Sequence, residues 1–193
     1  MSDIYYTIAQ EAEAQYKEKM SRFIAFARHV VSAEEAKLII KQYQNKYHDA
    51  RHVCWAYMIG KDREIWQLND NGEPSGTAGK PILGQINKME LTDVLVVVVR
   101  YFGGIKLGTS GLINAYRTAA ALVLEEAGKK ELHAMKPLEI KFSYEAADRV
   151  LKILRNYEIE IRERIFDNEC CIKMDVREND FEEIRNLVSK ACL

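Results

Sequence analysis

The run "DVLVVVV", residues 93–99, constrains the fold more than any other part of the chain. Six consecutive apolar residues follow one aspartate, and valine favours extended structure. A continuous apolar run of this length is typical of a strand that is covered on at least one face and paired along both edges. The run therefore predicts a central strand of a sheet, so the rest of the chain has to supply flanking strands and covering helices.

A glycine-rich, cationic loop comes directly after this strand, and a helical pattern follows over residues 111–127. Backbone N–H groups at a helix start are unpaired and carry the positive end of the helix dipole, so a strand, a glycine loop and a helix start together form an anion site. A tight turn needs one or two glycines, whereas this loop has four. The residues expected to bind an anion or nucleic acid here are Arg100, Gly103, Gly104, Lys106, Gly108, Thr109, Ser110 and Gly111.

These residues have different expected roles. Gly103 and Gly104 permit close approach of a backbone, and Thr109 or Ser110 is expected to cap the helix near Ser110 or Gly111. Arg100 and Lys106 are expected to contact phosphates. A Walker nucleotide loop is rejected, because Thr109 stands where that motif requires lysine.

Another glycine-rich loop, "DNGEPSGTAGKP" at residues 70–81, has three glycines and two prolines and is followed by a predicted short helix. No acidic residue occurs from 74 to 89, so this loop is also locally positive. Glu73 and Asp70 together provide too few ligands to enclose a metal ion, so no metal or cofactor is expected. The residues expected to join the anion surface are Glu73, Ser75, Thr77 and Lys80. The alternative is a structural turn that positions Ser75 and Thr77 at a helix start.

His52 and Cys54 lie two residues apart on a predicted strand and therefore share a face. A Cys–His nucleophile pair is conceivable, but a packed core cysteine beside a hydrogen-bonded histidine is the more common arrangement. We predict that Cys54 is buried, that no carboxylate or second histidine is oriented on His52, and that neither residue is catalytic or a metal ligand. No catalytic residue is assigned anywhere in the chain.

The pattern of apolar and polar residues changes near Pro137, and this change predicts one domain at residues 1–136 and another at residues 137–193. The second contains strand, helix, strand, strand and helix patterns, the order of a split-βαβ, ferredoxin-like unit that lacks its final strand. The fold class is α+β.

The net charge of −1 predicts no global attraction to nucleic acid or membrane. The four cysteines form no disulfide framework, which favours the cytoplasm as the location of the protein.

Four segments together resemble the IMPACT/YigZ family. The glycine loop matches the family pattern RYFGGxKLGxGGLxxAY with one departure, Ser110 for glycine, and Asn71 replaces the second aspartate of the other loop. The resemblance is strong over residues 17–127. The matching segments are "SRFIAFARHV", "RHVCWAY", "DNGEPSGTAGKPIL" and "VVVRYFGGIKLGTSGLINAY".

The resemblance implies a first domain of the superfold shared by a small-subunit ribosomal protein, elongation factor G domain IV and the GHMP kinases. It implies a ferredoxin-like second domain similar to the last domain of elongation factor G. It also implies a role near translation, because eukaryotic relatives regulate initiation during amino-acid starvation.

Three functions stay open on the sequence. The leading one is a cytoplasmic, non-enzymatic protein that binds RNA, the ribosome or a translation factor and regulates translation. The second is a phosphoryl-transfer or nucleotide-using enzyme, for which Asp70 and Glu73 are the available acids. The third is a pure protein-interaction module, with the glycine loop docking a partner's backbone.

Overall fold

A computed structural model describes residues 3–167 and 170–192. Within these residues the protein has a mixed α/β architecture with five α-helices. The strands are β1 (Ile4–Ile8), β2 (Ala12–Glu18), β3 (Ser21–His29), β4 (His52–Ile59), β5 (Ile65–Asn69), β6 (Val94–Tyr101), β7 (Lys129–His133), β8 (Met135–Phe142), β9 (Ile159–Phe166) and β10 (Cys170–Arg177). The helices are α1 (Ala33–Lys46), α2 (Gly79–Lys88), α3 (Gly108–Ala127), α4 (Ala147–Leu154) and α5 (Phe181–Ala191).

Contacts divide the chain into two compact units. One comprises residues 6–131, and the other comprises residues 132–192 together with residues 3–5. Pro137 lies inside β8. The assignment of domains to 1–136 and 137–193 stays a prediction, as does the naming of the superfolds.

The larger unit is built on a five-stranded sheet in the order β2-β3-β6-β4-β5. The valine run forms β6 at its centre, antiparallel to both β3 and β4, which confirms the predicted central strand. Val94, Val96 and Val98 face a core that includes buried residues of α2 and α3. The alternate residues of β6 face a second core that includes buried residues of α1.

The smaller unit contains a three-stranded antiparallel sheet in the order β8-β10-β9. Alternate apolar residues of β8 and β10 pack in one core with α4 and α5, so the predicted three strands and two helices are present. Within the described residues this sheet has three strands. β1 and β7 pair in a separate two-stranded sheet. β7 was not predicted, because "KKELH" is nearly all polar.

Among residues 3–167 and 170–192, no helix combines the length and the apolar character that crossing a membrane requires.

Candidate functional site

The two glycine-rich loops border one cleft in the larger unit, which we call the loop cleft. It has a volume of about 470 Å³. The first loop along the chain, residues 70–81, contributes the segment 72–74. The second, residues 100–111, contributes Arg100, Phe102 and the segment 106–109, which includes the start of α3. The lining residues are Arg51, His52, Gly72, Glu73, Pro74, Arg100, Phe102, Lys106, Leu107, Gly108, Thr109 and Leu112.

Asp70 gives the first loop its shape. Its Oδ2 accepts a hydrogen bond from the Gly76 amide at 2.8 Å, and its Oδ1 accepts from the Ala78 and Gly79 amides at 3.0 and 2.8 Å. Burial raises the pKa of this carboxyl, but the three N–H donors outweigh burial and lower the pKa below its ordinary value. Asp70 therefore replaces a conventional N-cap for α2, which has no side-chain cap of its own.

Glu73 and Arg100 form a buried ion pair at the inner wall of the loop cleft. Arg100 Nη1 donates to Glu73 Oε1 at 2.6 Å, and the two side chains are 7% and 3% exposed. The Tyr116 hydroxyl donates to the same oxygen at 2.8 Å. The Glu73 carboxylate neutralises the buried charge of Arg100, so its role is structural. It is not a free group that could contact an anion directly.

Arg100, which is expected to contact phosphate, lies in the interior of the protein. Its guanidinium is buried, and Nη2 lies 3.5 Å from Ser21 Oγ. Nε is buried and has no hydrogen-bond partner among the residues that the structure describes. Arg100 lines the loop cleft, but its Nε is closed off from solvent, so this unsatisfied donor is not open to a ligand.

His52 is held with one ring nitrogen fixed. Its Nδ1 lies 2.9 Å from the Asn71 carbonyl oxygen, and since a carbonyl only accepts, Nδ1 carries a proton. Nε2 lies 4.0 Å from Glu73 Oε1. The prediction that no carboxylate is oriented on His52 is therefore wrong, because the loop that holds Asn71 also delivers Glu73.

The start of α3 is the second element of the cleft. The helix begins at Gly108, earlier than expected, and its N-cap residue Leu107 makes no side-chain cap hydrogen bond. The expected capping by Thr109 or Ser110 is wrong, because both residues lie inside the first turn. No acidic residue occupies that turn. The first amides are thus left without a side-chain acceptor, beside exposed Lys106.

Gly103 does not permit approach of a ligand. A Cβ at this position would lie 2.0 Å from the Met20 carbonyl carbon and 2.5 Å from the Ser21 amide nitrogen. The space that the missing side chain leaves is therefore filled by the β2–β3 turn. Gly104 and Gly108 have φ of +89° and +70° with open space around them, so their requirement is conformational.

The structure brings together Glu73, Arg100, Lys106, Gly108 and Thr109 of the predicted anion-binding residues. Thr77 is buried and its hydroxyl donates to the Pro74 carbonyl at 2.7 Å. Sequence reasoning missed Phe102 and Tyr116, which are present in the quoted pattern but have no charge to attract notice. The predicted residues that do not line the loop cleft are Gly103, Gly104, Ser110, Gly111, Ser75, Thr77 and Lys80.

Neither candidate acid of the enzyme hypothesis is free. Asp70 accepts three backbone hydrogen bonds and Glu73 is ion-paired. Within the described residues, no group of three or more His, Cys, Asp or Glu side chains is arranged to hold a metal ion. These two residues therefore give the nucleotide-using enzyme no support.

Comparison with known proteins identifies the family. The sequence model of the Impact N-terminal domain matches residues 19–124, which include both loops and β6. The chain belongs to the IMPACT family. The resemblance inferred from the four segments is confirmed.

Two relatives and one solved structure show how far this similarity extends. The IMPACT family member YvyE of Bacillus subtilis is 36% identical over 159 residues, which are 82% of this chain and 73% of the relative. The Protein IMPACT homolog of Saccharomyces cerevisiae is 35% identical over 107 residues, 54% of this chain and 42% of the relative. A crystal structure of a hypothetical protein, 26% identical, matches with a TM-score of 0.73 over 98% of this chain and 93% of its own.

Cys54 lies behind the cleft and is fully buried, as predicted. Its Sγ is 3.0 Å from the Asp70 carbonyl oxygen and 3.3 Å from the Tyr116 hydroxyl oxygen. Burial, and to a lesser extent the charges of Glu73 and Asp70, raises the pKa of the Cys54 thiol far above its ordinary value.

We therefore expect Cys54 to resist alkylation in the folded protein at neutral pH, because the thiolate is the reactive form. Iodoacetamide should modify the exposed Cys192 at least about tenfold faster. Peptide mass spectrometry over a time course measures both rates, and guanidinium-unfolded protein is the control in which the two cysteines should react alike. Equal rates in the folded protein would contradict the raised pKa and the burial.

Proposed function

We propose that this IMPACT family protein regulates translation by binding phosphate groups of RNA, free or within the ribosome, through the loop cleft. The observation that carries the proposal is that exposed Lys106 and the uncapped start of α3 both line the loop cleft. Membership of the IMPACT family supports translation as the process, because the resemblance to this family implies a role near translation.

Charge around the cleft supports an anionic ligand. Arg51 and Lys106 are exposed on its wall, whereas the one lining carboxylate, Glu73, is already neutralised by Arg100. Helix-start amides and charge-assisted hydrogen bonds favour phosphate in such a setting. The residues outside the cleft, Ser75 and Lys80, are exposed and are proposed to extend the contact along the RNA backbone.

Replacing Lys106 with Ala is expected to weaken RNA or ribosome binding at least about tenfold at low salt, because one charge-assisted contact is lost. The slope of log Kd against log salt should become shallower by about one unit. Filter binding at several salt concentrations measures both quantities. The melting temperature should be unchanged, since Lys106 is exposed.

Lys37→Ala is the matched control. Lys37 is also exposed but lies on α1, away from the loop cleft. It should leave both affinity and slope unchanged. If Lys106→Ala melts several degrees lower while binding is unaltered, the loop is structural. If RNA and ribosomes fail to bind the wild-type protein in low salt, the proposed function is wrong.

A further inference from the structure

The rim of the loop cleft carries an aromatic ring that phosphate binding does not require. Phe102 lines the cleft and is 46% exposed. It lies between buried Arg100 and the loop that leads to Lys106. The Arg100 guanidinium carbon is 5.6 Å from the centre of its ring. Because Phe102 is only about half buried, part of its ring stays open at the cleft to a ligand with an apolar or aromatic face.

The cations and the ring are arranged on one concave surface. Lys106 and the first residues of α3, Gly108 and Thr109, line the same cleft as Phe102. The volume of about 470 Å³ is within the range of pockets that enclose one small organic molecule. A nucleotide has both required parts, an anionic phosphate and a flat base.

We infer that the loop cleft binds one nucleotide of single-stranded RNA, with the base stacked on Phe102 and the phosphate at the start of α3. This inference rests on the proposed function and narrows it. Bases in a duplex are stacked on each other and cannot stack on a protein ring, whereas unpaired bases can. The cleft therefore discriminates single strands from duplexes, which contacts to phosphate alone do not do.

The test compares Phe102→Ala, Phe102→Leu and Phe102→Trp in the full chain. The probes are a fluorescein-labelled dodecamer of uridine and a 12-base-pair RNA duplex, with uridine monophosphate and inorganic phosphate as competitors. Phe102→Ala and Phe102→Leu should weaken binding of the single strand about 5- to 150-fold, the loss of one stacked base. Phe102→Trp should retain it. Leucine is the informative change, because it keeps an apolar side chain but removes the aromatic face.

Ile105→Ala is the matched control, because Ile105 is 49% exposed in the same loop but does not line the cleft. It should bind the single strand like wild type, and all variants should melt within about 2 °C of wild type because the changed side chains are exposed. Lys106→Ala should weaken binding of both single strand and duplex, whereas Phe102→Ala should leave duplex binding unchanged.

Several outcomes separate the inference from the proposed function. If Phe102→Leu binds the single strand like wild type, or if wild type prefers the duplex, the stacking inference is wrong while phosphate binding stands. If uridine monophosphate binds as tightly as the dodecamer, the ligand is a free nucleotide and the inference is wrong. If neither RNA binds wild type, the proposed function fails as well.

Discussion

Replacing Glu73 with Ala is expected to lower the free energy of unfolding by about 3–5 kcal/mol. The substitution removes the partner of Arg100, whose side chain is 7% exposed, and so leaves a cation in the interior without compensation. It also removes the acceptor of the buried Tyr116 hydroxyl. Burial, the Cys54 sulfur and the Glu73 carboxylate raise the pKa of Tyr116 well above its ordinary value, so this hydroxyl stays protonated and needs an acceptor.

A double-mutant cycle measures the interaction energy between Glu73 and Arg100. Glu73→Ala, Arg100→Met and the combination are unfolded in urea, with circular dichroism as the signal. The double variant should be more stable than the sum of the single losses predicts, by about 1–3 kcal/mol, because neither charge is left alone. Glu64→Ala is the control for removing an exposed carboxylate, and its effect should stay within about 0.5 kcal/mol.

The same cycle decides how the loops are held together. Glu73 belongs to the first loop and Arg100 to the end of β6, 27 residues later. If the two single losses simply add, the ion pair contributes nothing and the loops are positioned by Asp70 and by packing. A loss below about 1 kcal/mol for Glu73→Ala would likewise contradict the burial of the pair.

The sequence predicts the sheet well, because its strongest signal is local. The valine run lies at the centre of the five-stranded sheet, and the hairpin partner of β4 is β5 as expected. These assignments depend on runs of neighbouring residues, whose pattern reports burial directly. The start of α3 was placed too late because Leu107 is not a residue type that caps helices.

The ion pair could not be found by counting charges along the chain. No acidic residue occurs from Val94 to Leu124, which suggested a loop with free cations. The acid that neutralises Arg100 comes from the other loop. One signal was available: Arg100 continues the alternation of Val94, Val96 and Val98, which face the core. A buried arginine requires an acid, and the sequence alone does not say which one.

The glycines of the second loop show the same limit. Their number suggested flexibility and access for a ligand, but three of the four have a separate structural reason to be glycine. Gly104 and Gly108 adopt positive φ, whereas Gly103 makes room for the backbone of another turn. A sequence reports that glycine is present but not which of these requirements it meets.

Replacing Gly103 with Ala is therefore expected to be severe, with a loss of about 3 kcal/mol or more in the free energy of unfolding. The new Cβ would lie 2.0 Å from the Met20 carbonyl carbon, closer than nonbonded atoms come, and the obstacle is backbone. The β2–β3 turn has little freedom to move, because Lys19 and Met20 both have positive φ and Ser21 is fully buried. Thermal melting should show a decrease of about 6–12 °C.

Two other glycines, Gly84 and Gly104, provide controls for this prediction. Gly84→Ala adds a Cβ in open space within α2 and should be neutral or stabilising by up to about 1 kcal/mol. Gly104→Ala also meets open space but at φ +89°, so it should cost about 1–2 kcal/mol through backbone strain alone. The expected order of melting temperatures is Gly84→Ala, then Gly104→Ala, then Gly103→Ala. If Gly103→Ala melts above Gly104→Ala, the loop does not press against the turn, and the position of Arg100 and Lys106 at the cleft is set by something other than this contact.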